Sequence, residues 1–230
     1  WDVRPQYPLL AGGVFDPREA TFDRFNNWYG EPEMEQSTIF VNAGNTLANG
    51  VKLYGWASYQ LREARSAGFY RRANDDRNTI QIYPDGFLPI IAPEVDDLSA
   101  AGGATWNWGE WAMDSSLVYG KNKMAFTIEN TLNRSLGTAS KTEFDAGGFD
   151  YDQLVLNFSG VRELEVGLFS SPLNVAIGLE ARREGYSIFA GEPDSYRNGG
   201  VLLANGTPTQ SGSQVFPGFR PSNVVDEDRT

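Results

Sequence analysis

The sequence predicts an all-β fold: a portion of an antiparallel, up-and-down transmembrane β-barrel with about six strands. Six segments alternate apolar and polar residues with a period of two, as strands with one apolar and one polar face do. Short turns and very long loops separate these segments in alternation. That rhythm is typical of barrels with short periplasmic turns and long extracellular loops. No segment shows the period of a convincing helix.

The first hairpin shows the pattern most clearly. Strand one is predicted at Thr38–Gly44, a turn at Asn45–Gly50 and strand two at Val51–Arg62. In strand two the odd positions are mostly apolar. The even positions carry polar or large aromatic side chains, which we expect to line a lumen: Lys52, Tyr54, Trp56, Ser58, Gln60 and Arg62.

Two further hairpins follow along the chain. Predicted strands three to six are Asp97–Trp106, Trp111–Lys121, Tyr151–Val161 and Pro172–Glu184. We expect the short turns on one side of a membrane, at Asn45–Gly50, Asn107–Glu110 and Arg162–Ser171. The long loops should lie on the other, outer side, at Glu63–Asp96, Asn122–Asp150 and Gly185–Thr230. Residues 1–35 are predicted to be loop.

Composition excludes several classes of function. The 230 residues contain no Cys and no His, so zinc-thiolate sites, thiol catalysis and the commonest general base are absent. The net charge of -11 argues against a nucleic-acid partner, which calls for a basic surface. No apolar run approaches the roughly 20 residues of a membrane-spanning helix, so a membrane form of this chain must span with strands.

Two interpretations of the alternation compete. In a soluble β-sandwich the apolar face is the core, whereas in a barrel it meets lipid. Long loops favour the barrel, because compact soluble domains rarely keep several structureless loops longer than about 15 residues. Aromatic residues near both ends of the apolar face also favour it: Trp106, Trp111, Tyr59 and Tyr119. The residues predicted to face lipid are Leu53, Ala57, Leu98, Ala100, Leu117, Leu156, Val175, Ile177 and Leu179.

Acidic residues offer weak candidates for chemistry. A glycoside hydrolase needs two carboxylates across a cleft, and Asp96 with Asp97, Asp75 with Asp76, or Glu143 with Asp145 fit only loosely. The run Asp226-Glu227-Asp228 has the hard oxygen ligands of a calcium site but is more typical of a solvated charged segment. We therefore expect no catalytic residue, no metal site and no cofactor.

Aromatic and cationic side chains are the better candidates for binding. Such residues stack on polar ligands and donate hydrogen bonds to them. For the residues in the first long loop, the alternative role is to pack loops against one another. For the residues on the polar face, the alternative role is to hold a plug. The candidate substrate-binding residues are Phe69, Tyr70, Arg71, Arg72, Trp56 and Arg62.

Several segments, taken in order and spacing, resemble TonB-dependent outer-membrane receptors. The first group is Phe40-Val41-Asn42-Ala43-Gly44, Leu53-Tyr54-Gly55-Trp56-Ala57-Ser58-Tyr59 and Ala67-Gly68-Phe69-Tyr70-Arg71-Arg72. The second is Ile82-Tyr83-Pro84-Asp85-Gly86-Phe87-Leu88-Pro89 and Ser116-Leu117-Val118-Tyr119-Gly120-Lys121-Asn122. The third is Ile177-Gly178-Leu179-Glu180-Ala181-Arg182-Arg183-Glu184 and Phe216-Pro217-Gly218-Phe219-Arg220-Pro221. The resemblance covers the chain from about Phe25 to its end.

The resemblance implies a non-enzymatic receptor of the bacterial outer membrane that imports a scarce nutrient, such as a siderophore or an oligosaccharide. Its expected partners are membrane lipid, a plug domain, the TonB protein acting through that plug, and the substrate. The alternatives are a secreted carbohydrate-binding β-sandwich and a β-rich glycoside hydrolase.

The chain departs from such receptors because we find no plug-like region, no TonB-contacting box and no final strand ending in an aromatic residue. We therefore expect residues 1–230 to be a partial barrel whose plug and remaining strands lie elsewhere. Six strands cannot enclose a plugged lumen. The free edges at Thr38–Gly44 and Pro172–Glu184 should therefore pair with other strands.

Overall fold

The computed structural model describes residues 4–28, 30–167 and 170–230, and the chain is all-β. One antiparallel sheet of seven strands has the order β1-β2-β5-β6-β7-β8-β9, and a small ribbon pairs β3 with β4. The strands are β1 Glu33–Thr46, β2 Lys52–Ala67, β3 Arg71–Arg72, β4 Gly86–Phe87, β5 Ile90–Trp108, β6 Trp111–Glu129, β7 Phe144–Leu164, β8 Leu173–Ala190 and β9 Val225–Arg229.

Consecutive long strands are neighbours throughout, so all the short turns lie at one end of the sheet and all the long loops at the other. At the turn end, Trp108 pairs with Trp111 across a two-residue turn. Gly109 has φ 59°, the positive value that such hairpin turns require at their first position. Residues 168 and 169 of the predicted turn Arg162–Ser171 lie outside the described residues.

The prediction of about six strands is too low, because the sheet has seven. The segment Gly185–Thr230 was predicted to be loop, yet β8 continues to Ala190 and Val225–Arg229 pairs with Glu184–Ile188. The sequence did not predict β9 because its residues are mostly acidic, and Asp and Glu are depleted in strands. The loop Glu63–Asp96 likewise contains the ribbon of β3 and β4.

The long strands extend past their predicted ends because the apolar phase changes faces. In β6 the side predicted to be apolar carries Lys121 and Lys123, while the opposite side carries Met124, Phe126 and Ile128. A period-two pattern whose phase inverts is easily mistaken for the end of a strand. The inversion occurs where the loops fold against the sheet.

The most buried residues lie at the loop end rather than between two sheets. Residues 4–28, 68–89, 130–143 and 191–224 contact one another and the outer strand ends; we call them the loop cap. Tyr83 Oη donates to the Thr131 carbonyl at 3.2 Å, and Thr131 Oγ1 donates to the Gln214 carbonyl at 3.1 Å. The side chains of least exposure belong to the cap or to the strand ends beneath it: Ile128, Thr131, Leu132, Asn133, Ser135, Phe144, Ser195 and Gln214.

The sheet is open. No described residue of β1 pairs with β9, so no closed barrel forms, and β1 offers its outer edge along Glu33–Thr46. β9 covers β8 only at Glu184–Ile188, which leaves Leu173–Arg183 unpaired on that side within the described chain.

The helices of the described residues are short 3-10 turns, and none is long and apolar enough to cross a membrane. They are Ala11–Gly13, Pro17–Ala20, Arg134–Ala139, Pro193–Ser195 and Pro221–Asn223.

Candidate functional site

The strand register sorts the sheet into two faces. Residues directly opposite each other in neighbouring strands point to the same face, and the pairs Ala57 with Ala100 and Leu117 with Leu156 link β2, β5, β6 and β7. When the pairs are traced from strand to strand, all nine residues predicted to face lipid lie on one face of the sheet, which we call the apolar face. The other is the polar face.

The apolar face is exposed along its middle. Relative exposures reach 52% for Leu156, 62% for Ile177 and 74% for Leu179. Within the described residues no second sheet packs on it, since the only other strands are β3 and β4 of the cap.

Aromatic side chains border the exposed apolar band. Trp108 and Trp111 pair at the turn end, and Tyr59 pairs with Leu98 at the other end. Beyond Leu98, the apolar face of β5 carries Asp96 and Glu94. The band thus runs in β5 from Leu98 to Trp108, close to the 9–11 residues, roughly, that a tilted strand uses to cross a bilayer.

The polar face contains a hydrogen-bonded cluster around Asp97. Asn122 Nδ2 donates to Asp97 Oδ1, and Gln60 Nε2 donates to Asp97 Oδ2 at 3.4 Å. The guanidinium of Arg62, a predicted binding residue, lies 3.7 Å from Asp97 Oδ2. Four polar side chains from three neighbouring strands therefore meet at one level of the face.

Two further clusters on the polar face lie nearer the turn end and nearer the β8 edge, respectively. Tyr54 Oη donates to Asp114 Oδ2 at 2.9 Å, and its ring crosses Gly103, where a Cβ would come within 2.4 Å of it. Tyr151 Oη donates to Glu184 Oε1 at 2.7 Å. Arg182 lies 2.8 Å from Glu180 and 3.6 Å from Glu184.

Trp56, another predicted binding residue, stacks on Phe40. Their ring centroids are 6.1 Å apart with an interplanar angle of 24°. Asn42 pairs with Trp56 across the strands, and small side chains surround the rings on β5, including Ala101 and Ser99. The rings and nearby amides form a surface able to stack on a flat ligand face and hydrogen-bond its edge.

The other four predicted binding residues lie in the loop cap. Phe69 is 82% exposed. Tyr70 Oη donates to the Asp85 carbonyl at 2.7 Å, and Arg72 Nη1 donates to the Pro5 carbonyl at 2.9 Å. Arg71 is buried. No hydrogen bond, ion pair or ring contact among the described residues joins this group to Trp56 or Arg62.

Arg71 is held inside the cap by neutral acceptors. Its Nη1 donates to the Phe69 carbonyl at 2.8 Å, and its Nε donates to Gln214 Oε1 at 3.4 Å. Burial and repulsion from Arg77 lower the pKa of Arg71. Its neighbours connect two cap segments far apart in sequence, so part of its role is to hold the cap together.

Three tyrosines of the cap keep their phenol protons to high pH. Burial raises the pKa of Tyr70 and Tyr83 to about 12. Burial, reinforced by the hydrogen bond to Asp85, raises the pKa of Tyr7 to about 12. At neutral pH each phenol is a neutral donor within the cap.

The acidic candidates lie in different surroundings. Asp96 and Asp97 point to opposite faces, and Tyr59 Oη donates to Asp96 at 2.6 Å. Asp75 accepts hydrogen bonds from Arg77. The run Asp226-Glu227-Asp228 alternates between faces because it is a strand, with Asp228 2.7 Å from Arg183. Within the described residues no group of three or more acidic side chains has metal-binding geometry.

The N-terminal part of the cap has no local sequence signal. Residues 1–35 were predicted only to be loop, yet Tyr7 Oη donates to Asp85 Oδ1 at 3.0 Å and the Arg18 guanidinium lies 4.0 Å from the centre of the Tyr7 ring. The Asn74 amide N–H donates to the Gln6 carbonyl at 3.0 Å. Contacts between segments so far apart in the chain produce no periodic pattern of residues from which they could be predicted.

Comparison with protein families, curated proteins and solved structures finds no match for this chain.

Proposed function

We propose that this chain forms part of the wall of an outer-membrane β-barrel receptor, of the TonB-dependent kind, that binds and imports a scarce nutrient. One observation carries the proposal. A seven-stranded up-and-down sheet presents a continuous apolar face that no other part of the described chain covers. Soluble monomers rarely expose contiguous apolar patches larger than a few hundred Å².

The dimensions and borders of the apolar band support lipid as its neighbour. Its length in β5 matches a membrane-crossing strand, and charged residues begin where it ends. Tryptophan at one border and tyrosine at the other are typical of the interfacial girdles of outer-membrane barrels.

A soluble β-sandwich accounts less well for these features. Its apolar face should be buried against a second sheet, and Ile177 and Leu179 are instead among the most exposed apolar residues. The secreted carbohydrate-binding module and the glycoside hydrolase both rely on such a compact core.

The polar face fits the lining of a lumen. Tyr54 and Asp97 make hydrogen bonds with partners on other strands, and Arg182 forms ion pairs with Glu180 and Glu184 of its own strand. Such clusters are expected where water or a plug meets the wall, and are costly in lipid. Substrate contact is assigned to the stacked rings of Trp56 and Phe40, to Arg62 and to exposed Phe69.

The open edges require strands from elsewhere in the assembled receptor. Every unpaired N–H and C=O in hydrocarbon costs several kcal/mol. β1 along Glu33–Thr46 and β8 along Leu173–Arg183 each present such a row. We assign their partners, together with the plug that contacts TonB, to further sequence or to another polypeptide of the same receptor.

The test uses the cell that makes the protein. Fractionation should place the chain with the outer membrane, and inactivating its gene should abolish the energy-dependent uptake of at least one nutrient at limiting concentration. Restoring the gene should restore uptake. Recovery of the chain in a soluble fraction would contradict the proposal.

A further inference from the structure

A groove crosses the apolar face near its turn end. Its volume is about 300 Å³, and apolar atoms form almost all of its surface. We call it the Gly160 groove, with Gly160 as its floor and walls from Trp111, Met113, Phe158, Ile177 and Leu179.

The groove exists because position 160 has no side chain. Gly160 pairs with Met113 on one side and Ile177 on the other, in the middle of the sheet. A Cβ at this position would lie 2.8 Å from Met113 Sδ and 3.3 Å from Trp111 Cε3. Glycine inside a strand often marks the close approach of another group, which Met113 and Trp111 make here, and a side chain at this position would narrow the groove.

A cationic group lies at the turn end of the groove. Arg162 is two residues beyond Gly160 on the same face, and it pairs with Val175. Its guanidinium forms an ion pair with Glu110, and its side chain remains 34% exposed. A guanidinium has five N–H donors in a planar fork, so donors remain for a phosphate.

We propose that the Gly160 groove holds one acyl chain of a phospholipid whose phosphate lies on Arg162. This inference rests on the proposed function, because it requires the apolar face to lie in a membrane. The choice of occupant follows from two features of the chain. The groove offers almost no polar group, which selects hydrocarbon, and the cation lies at the level of Trp108 and Trp111, where interfacial tryptophans meet lipid headgroups.

Retention of phosphatidylglycerol by the full chain tests the proposal. The assembled receptor that contains the chain is extracted into detergent micelles with phosphatidylglycerol, washed with lipid-free micelles, and weighed by native mass spectrometry. We expect about one retained lipid per chain. Gly160→Val fills the groove and removes contact with two or three methylene groups, so retention should weaken by about 15- to 60-fold.

A matched variant controls for the added side chain. Gly102 lies on the same face, in the interior of β5, and a Cβ there has no atom within 4 Å. Gly102→Val should therefore retain lipid as the native chain does. Equal retention by the native chain, Gly160→Val and Gly102→Val would overturn the proposal. If Gly160→Val fails to fold, Gly160→Ala replaces it, since the flexible Met113 thioether has to move least.

A second arm tests the headgroup. The native chain should prefer phosphatidylglycerol to diacylglycerol with the same acyl chains, and Arg162→Gln should remove that preference while leaving diacylglycerol retention unchanged. An unaltered preference in Arg162→Gln would overturn the assignment of Arg162.

Failure of this inference is distinguishable from failure of the proposed function. A receptor that is recovered from the outer membrane but retains no lipid on this chain after washing lacks the groove site and keeps its membrane face. A receptor that is recovered outside the membrane contradicts the membrane face itself.

Discussion

Leu156 and Asn157 are neighbours in β7 whose side chains point to opposite faces of the sheet. Arginine at position 156 would place a charge in the middle of the apolar band, whereas arginine at 157 would lie near Glu180 on the polar face. We expect Leu156→Arg to destabilise the folded, membrane-inserted chain by about 2–4 kcal/mol, and Asn157→Arg to change its stability little. Reversible unfolding from vesicles by denaturant measures both.

Equal costs for the two substitutions would show that neither face meets lipid. A larger cost for Asn157→Arg would reverse the assignment of the faces.

Tyr7 links the N-terminal segment to Asp85, and its behaviour at alkaline pH is predictable. Its pKa is raised to about 12 in the folded chain, above the unfolded value of about 10. The neutral phenol therefore stabilises the cap fully below about pH 10, and this contribution is lost as pH rises towards 12. Tyr7→Phe should remove the part of the pH dependence in this window that Tyr7 contributes.

The measurement is the rate at which a protease active in alkali cleaves residues 4–28, followed from pH 8 to pH 12. The native chain should become more sensitive above about pH 10, and Tyr7→Phe should be more sensitive at pH 8 with a flatter profile. If protease sensitivity changed with pH in the same way in both proteins, Tyr7 would not contribute to the pH dependence of cap stability.

Strand β6 crosses from the apolar band into the cap, so its two halves should respond differently to truncation. Ile128 is fully buried beneath the cap, while Leu117 is 48% exposed on the apolar face. We expect Ile128→Ala to destabilise the chain by about 2–5 kcal/mol, because it leaves a cavity. Leu117→Ala should cost clearly less, since lipid fills the space. Denaturant unfolding in micelles compares them, and a similar cost at both positions would contradict the division of β6.

The alternating residues of each strand were enough to predict the six long strands, their order and the face of every residue assigned to lipid. Periodicity identifies an element where one face stays apolar, as in Leu98–Trp108. It does not identify Met124, Phe126 and Ile128 as strand, because their apolar phase lies on the other face. It also does not identify β9, whose acidic residues are untypical of strands.

The candidate binding residues divide in the same way. Trp56 and Arg62 lie on the polar face that alternation predicted. The positions of Tyr70, Arg71 and Arg72 depend on contacts with Asp85, Gln214 and Pro5, which are distant in sequence or set by the loop fold. Their assignment to substrate stays a prediction.

The molecule as a whole has one turn end and one cap end, and the proposed function assigns the cap to the cell exterior. The chain contains no cysteine, so single cysteines report position without interference. Phe69→Cys in the cap should react with a membrane-impermeant maleimide on intact cells. Glu110→Cys at the turn end should react only after the outer membrane is permeabilised. The reverse pattern would invert the topology.

Tryptophan fluorescence shows whether the apolar face lies against lipid. Trp106, Trp108 and Trp111 lie on the apolar face, and Trp56 lies on the polar face. One variant keeps only the first three tryptophans and another keeps only Trp56, with phenylalanine at the remaining tryptophan positions. Each is folded into vesicles whose phospholipids carry bromine on their acyl chains. We predict strong quenching of the first variant and little of the second. Equal quenching of both, or quenching of neither, would show that the apolar face does not lie against lipid.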